Sequence, residues 1–194
     1  MSEPAPTLLL ASGSPRRREL LGRLGVAFSV QAAGIEEVSH FTDPAEIAAD
    51  LARQEALALQ APGAPVLAAD TLVALDGRVL GKPKDGAENL AYLDLLSGRT
   101  HAVFTGVALR DLHGGLEVGV ERTLVSFRDL TPGERRFYAA SGEGLDKAGG
   151  YGIQDLGVGL VTRIEGDYSN VVGLPLARVT AMLRRAGIPV WGEL

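Results

Sequence analysis

Residues 8–11 and 66–69 are apolar at every position. A strand with one wet face alternates polar and apolar residues. A short run with no polar face has to be covered on both sides, which calls for helices packed on a sheet. The sequence supplies those helices in alternation. Ser14 followed by Pro15 reads as an N-cap and a first helical residue, and Leu20, Leu21 and Leu24 then line one face before a stop at Gly25. Asp43-Pro44 with Glu46 opens an Ala/Leu-rich helix to about Leu59, and Asp85 with Glu88 opens another to Leu96, closed by Gly98. Thr131 with Glu134 caps a helix to about Ala140, and a last helix spans 175–186. Further strands are expected at 28–32, at 72–75 after an interruption by Asp70-Thr71, at 101–109 and 117–127 around Gly114-Gly115, and at 159–164. Residues 145–157 read as a Gly-rich loop with charged residues. Hairpins mixed with helical crossovers predict an α/β fold with a mixed sheet. A length of 194 residues, against ~150 for a typical domain, predicts a single domain over 1–194.

Composition restricts the chemistry. With no cysteine, a disulfide framework, a thiol nucleophile and a cysteine-ligated zinc site are all excluded. His40, His101 and His113 include no pair at the i, i+4 spacing of a helical zinc site. The expectation is a soluble, cytoplasmic protein, since neither a signal-peptide pattern nor an apolar run near the ~18 residues of a spanning helix is present. Carboxylates, Lys/Arg, hydroxyls and an added metal remain.

Arg16-Arg17-Arg18 occupy the first turn of the first helix, where each cation is disfavoured by ~0.3–1 kcal/mol. An anion docked there reverses the sign. Free backbone N–H groups, the Ser12 and Ser14 hydroxyls and guanidinium forks would then converge on phosphate oxygens. The competing reading is an exposed basic turn. Asp70 follows four apolar residues, and a carboxylate so placed is either functional or an ordinary turn-former. Glu36-Glu37 and Lys82-Pro83-Lys84 are weak signals alone. They do supply what a triphosphate site needs, a second carboxylate for a divalent ion and point charges for further phosphates. Lys147 and Gln154 lie in the Gly-rich loop, and an amide has both the donor and the acceptor needed to read a base edge.

Taken in order, these segments resemble the Maf family of nucleoside triphosphate pyrophosphatases. The resemblance rests on Ala11-Ser12-Gly13-Ser14-Pro15-Arg16-Arg17, Glu36-Glu37, Ala69-Asp70-Thr71, Gly81-Lys82-Pro83 and Ser97-Gly98-Arg99-Thr100-His101. It continues through Asp146-Lys147-Ala148-Gly149-Gly150-Tyr151-Gly152-Ile153-Gln154 and Gly166-Asp167-Tyr168-Ser169-Asn170-Val171-Val172-Gly173-Leu174-Pro175. It implies a two-lobed α/β structure, like Maf and inosine triphosphatase proteins, with a central mixed sheet flanked by helices and an active-site cleft. It also implies metal-dependent cleavage of a nucleoside triphosphate between the α and β phosphates, as a house-cleaning reaction on the nucleotide pool. Ala69-Asp70-Thr71 with Gly152-Ile153-Gln154 is similar to the branch acting on dTTP and UTP, whereas the 7-methyl-GTP branch carries other residues there.

By the same resemblance Asp70 matches the proton acceptor, and Arg16, Thr71 and Gln154 match positions that set substrate preference. A divalent cation, Mg²⁺ or Mn²⁺, would be held by Asp70 with Glu37. Arg16, Arg17, Lys82 and Lys147 would stabilise charge passing to pyrophosphate, and Ser12 and Ser14 would line the phosphate turn. Spacing alone leaves Asp70 open as base, metal ligand or both. Glu55 stands where the family usually has Lys, a cation lost from this chain. The expected partner is the nucleotide, with neither nucleic acid nor membrane, and a homodimer suits the family. Two other classes are a non-enzymatic septum regulator and a nucleic-acid binder. A net charge of −5 and 5% aromatics oppose the latter.

Overall fold

The computed structural model describes residues 8–36, 38–61 and 63–192. In chain order the elements are β1 (Leu9–Ala11), α1 (Pro15–Gly22), β2 (Ser29–Val30), α2 (Pro44–Ala58), β3 (Val66–Leu75), β4 (Arg78–Leu80), α3 (Gly86–Leu96), β5 (Thr100–Arg110), β6 (Leu116–Phe127), α4 (Pro132–Ser141), β7 (Val161–Glu165), α5 (Tyr168–Val172) and α6 (Leu176–Arg185). The strands form a sheet in the order β2-β1-β3-β5-β6-β7, with β4 paired to β3. It is mixed: β1 runs parallel to β2 and β3, while the β3–β4 and β6–β7 pairs are antiparallel. The α/β expectation, a mixed sheet with flanking helices, holds.

Chain contacts divide the molecule into two compact units. The first contains the chain up to Asp70, Thr105–Glu121 and everything from Gly173 onward; the second contains Thr71–Phe104 and Arg122–Val172. Strands β3, β5 and β6 therefore each contribute residues to both.

In the first unit a small-residue stripe decides the packing. Ala48, Ala52 and Ala56 recur every four residues on α2 and are fully buried, so the helix backbone itself lies against its neighbours. Gly106 of β5 faces it, and a β-carbon there would sit 2.0 Å from the Ala48 carbonyl oxygen. Leu9, Val66, Ala68 and Ala108 complete this core. On α6, Arg178 pairs with Glu121 at 3.0 Å and Arg185 with Glu117, clamping that helix to the start of β6.

The second unit has a larger core that includes Leu93, Leu96, Val103, Val125, Phe127 and Tyr151. Embedded in it, His101 is 2% exposed and packs edge-on to Phe127 and Tyr151, with ring centroids 5.1 and 5.3 Å away. Its Nε2 lies 2.6 Å from the Tyr151 hydroxyl, while Nδ1 has no partner. Burial disfavours the imidazolium and pushes its pKa down to about 4.

Three expectations are corrected. The strand expected to break at Asp70-Thr71 runs unbroken from Val66 to Leu75. On either side of that pair the strand is bridged to β1 at 66–68 and to β4 at 73–75, and β3 also borders β5 in the sheet. The strand expected at 28–32 shrinks to Ser29–Val30, since only Leu9 and Leu10 offer partners. The strand expected at 159–164 begins at Val161, because Leu156–Leu160 winds into a 3₁₀ turn. The short helix α5, capped by Asp167 accepting from the Ser169 amide at 2.7 Å, was not anticipated.

Two stability measurements follow from these cores. Gly106→Ala is expected to cost about 2 kcal/mol or more, with a Tm fall of ~5 °C or more. Ala48→Gly should not rescue it, because the obstructing atom is backbone; a Tm unchanged in Gly106→Ala would refute this packing. For His101 the folded pKa lies below the unfolded ~6.5, so the unfolded state binds the proton first as pH falls. Its stabilisation is complete above pH ~6.5 and is lost progressively down to about pH 4. Urea unfolding is expected to show roughly 2 kcal/mol less stability at pH 5 than at pH 7, and His101→Gln should flatten that window.

Candidate active site

In the first unit, the turn after β1 is built to present donors. Ser12 is 4% exposed, and its Oγ accepts from the Ser14 amide at 3.2 Å. Ser14 caps α1 by accepting from the Arg17 amide at 3.4 Å, and Pro15 fills the first helical position. No acidic residue offsets the positive end of this helix in its first turn. Arg17 folds back over the turn: Nε donates to the Gly173 carbonyl at 2.8 Å and a terminal nitrogen to Ser12 Oγ at 3.4 Å. Arg16 is half-buried beside it in sequence.

The carboxylate comes from the neighbouring strand. Leu9, Leu10 and Ala11 pair in parallel with Val66, Leu67 and Ala68. Ser12-Gly13 leaves β1 just past the Ala11–Ala68 pair, while Ala69-Asp70 continues β3. Asp70 is half-buried there and shares a face of β3 with Ala68. The register thus sets the Ser12 turn, at the C-terminal end of β1, alongside the middle of β3, where Asp70 lies. Glu55 is half-buried on α2. Glu37 lies outside the described residues.

The second unit holds Thr71, Lys82, Lys147 and Gln154. Thr71 begins this unit on β3. The Gly149 amide donates to the Gly81 carbonyl at 3.0 Å, tying the Lys82 segment to the loop that carries Lys147. Gly149 is left-handed at φ +71°, and a β-carbon on it would meet Val73 of β3 at 2.8 Å. Buried Asn89 donates to the Gly150 carbonyl at 2.6 Å. Lys82 is exposed, whereas the Lys147 ammonium donates to the Glu143 carbonyl at 2.5 Å and pairs with Asp146 at 2.7 Å. Gln154 is exposed in a segment held by Tyr138 and Glu143.

Among the described residues no group of three or more His, Cys, Asp or Glu is arranged to hold a metal ion. Asp70 offers a hard carboxylate oxygen, and the sequence has no cysteine to supply a soft ligand. That fits Mg²⁺ or Mn²⁺, which take one or two protein carboxylates and complete their shell with phosphate oxygens and water. No described helix is long and apolar enough to cross a membrane.

Several residues of this architecture have no role assigned by the sequence alone. Asn170 donates to the Val103 carbonyl at 3.1 Å and to Thr123 Oγ1 at 2.9 Å, and Gly173 receives Arg17. The Asp167-x-Ser169 cap was a readable signal for α5. Glu143 and Tyr138, by contrast, sit in no periodic pattern.

Comparison with known proteins finds relatives over nearly the whole chain. The model of the Maf-like protein family matches residues 7–186. A dTTP/UTP pyrophosphatase of Deinococcus radiodurans is 56% identical over 193 residues, spanning 98% of both chains. Proteins of the same name from Myxococcus xanthus and Thermus thermophilus are 53% and 50% identical, covering 98% and 96% of this chain and 97% and 98% of their own.

Proposed function

Since the chain belongs to the Maf-like protein family, we propose that it hydrolyses dTTP and UTP to the monophosphate and pyrophosphate, removing nucleotides from the cytoplasmic pool. The observation that supports this reading is the β1–β3 register, in which the chain leaves β1 for the donor-rich start of α1 just past the Ala11–Ala68 pair, two residues before Asp70 on β3. Full-length relatives sharing half or more of their residues with this chain bear that activity in their names.

The chemistry follows from charge. A triphosphate approached by water resists attack until its negative charge is spread and the water is placed in line with the leaving oxygen. Ser12, Ser14 and the first amides of α1 bind phosphate oxygens, and Arg16 and Arg17 add fixed positive charge. Asp70 accepts the proton of the attacking water as its oxygen bonds to the α-phosphorus. The α–β bridging oxygen departs with pyrophosphate, whose growing charge Lys82 and Lys147 stabilise. A divalent cation, held by Asp70 with Glu37, would neutralise phosphate charge when bound. Thr71 and Gln154 set substrate preference. A donor from Gln154 to the C4 oxygen of thymine or uracil leaves an unpaired clash with the amino group of cytosine, and such a polar mismatch discriminates by orders of magnitude. The substrate is the free nucleotide, not a nucleic acid or a membrane component, and the working form is a homodimer.

A pyrophosphate-release panel with Mg²⁺ and Mn²⁺ over dTTP, UTP, CTP and 7-methyl-GTP is the direct test. Turnover of dTTP and UTP is expected to exceed CTP by ~100-fold or more, and a preference for 7-methyl-GTP would reject the assignment. Asp70→Asn is expected to lower kcat by at least ~100-fold with the fold intact by circular dichroism. Near-normal turnover in that variant would remove Asp70 from the chemistry.

A further inference from the structure

The segment bearing Gln154 is pinned at both ends by two side chains outside it. At one end the Gly152 amide donates to the Tyr138 hydroxyl at 3.0 Å. At the other, the Leu156 and Gly157 amides donate to the two carboxylate oxygens of Glu143 at 2.9 and 3.0 Å. The pins are joined, since Tyr138 Oη donates to Glu143 Oε1 at 3.0 Å. Residues 152–157 therefore form a ring closed through one Tyr–Glu pair, with Gln154 at its exposed centre and Ile153 buried as its anchor. The closure is tight: a β-carbon on Gly157 would lie 1.8 Å from the Gly152 carbonyl oxygen.

The ring requires a carboxylate. Three donors converge on Glu143: one hydroxyl and two backbone N–H groups. An ionised carboxylate is all acceptor and satisfies each of them. A glutamine would turn its NH₂ toward one amide, donor against donor, and an aspartate is one methylene short. Tyr138 is 2% exposed, and burial raises its pKa, so its hydroxyl keeps the proton it donates. Lys147 ties the Glu143 backbone to the same loop through its carbonyl.

We propose that Glu143, acting through Tyr138 and the amides of Leu156 and Gly157, is a positioning residue that holds the Gln154 loop in the one form able to read the nucleobase. The inference rests on the assignment of Gln154 as the base-discriminating residue. Glu143 does not touch substrate in this scheme. It removes alternative loop conformations, and a loop free to adopt them lets the amide meet an amino group as readily as a carbonyl.

The test uses the full chain. Glu143→Gln is expected to reduce the UTP-over-CTP ratio of kcat/KM at least ~10-fold, with the rise in KM for UTP exceeding the fall in kcat. Amide hydrogen exchange at Leu156 and Gly157 should accelerate at least ~10-fold. Tyr138→Phe keeps the buried ring and frees the Gly152 pin, so it should lower the ratio in the same direction by a smaller factor. Because Glu143 acts through Gln154, adding Glu143→Gln to Gln154→Ala should cause no further loss of discrimination. Wild-type selectivity and exchange in Glu143→Gln, an equal loss of rate on UTP and CTP, or additive effects in the double variant would each overturn the proposal. Wild-type protein that cleaves neither UTP nor dTTP would overturn the function instead, and the exchange of Leu156 and Gly157 would still decide the clamp.

Discussion

Three consecutive parallel pairings, Leu9 with Val66, Leu10 with Leu67 and Ala11 with Ala68, set where the candidate phosphate groups of the first unit stand. Because side chains alternate along a strand, a slip of one residue would turn Asp70 to the opposite face and pull it out of step with the Ser12 turn. The alanine stripe of α2 packs closely on the same sheet at Gly106. The placement of Asp70 thus depends on pairing and packing formed by other, apolar residues.

The same economy governs the cationic turn. Arg17 reads from sequence as a phosphate ligand, but its guanidinium also spans from Ser12 to the Gly173 carbonyl, joining two stretches of chain 156 residues apart. A side chain already ordered in this way loses less entropy when an anion arrives. The second unit shows a parallel case in Lys147, whose ammonium braces its own loop against Glu143 and Asp146. In both places a cation named as a candidate from the sequence is also part of the frame of its own loop.

Helix starts were legible because a cap acts within three or four residues. Ser14, Asp43, Asp85 and Thr131 all cap where the sequence places them. The behaviour of Asp70-Thr71 was not legible. A polar pair after an apolar run reads as a break, yet β3 continues through it, bordered by β1, β4 and β5 in the sheet. His101 carried no usable local signal either; its neutral, buried state comes from Phe127 and Tyr151, brought in by distant strands and loops.

By itself the sequence determined the element types, the donor-rich turn, the candidate acid and the family. All of these are written in short contiguous stretches, where capping, apolar runs and motif spacing operate. Only the tertiary structure decided that β3 is unbroken, that Gly106 must lack a side chain, and that Glu143 serves the Gln154 loop. Those outcomes depend on which backbone donors meet which acceptors across the fold. A carboxylate that satisfies amides 13 and 14 residues further along the chain leaves no periodic mark in the sequence that supplies it.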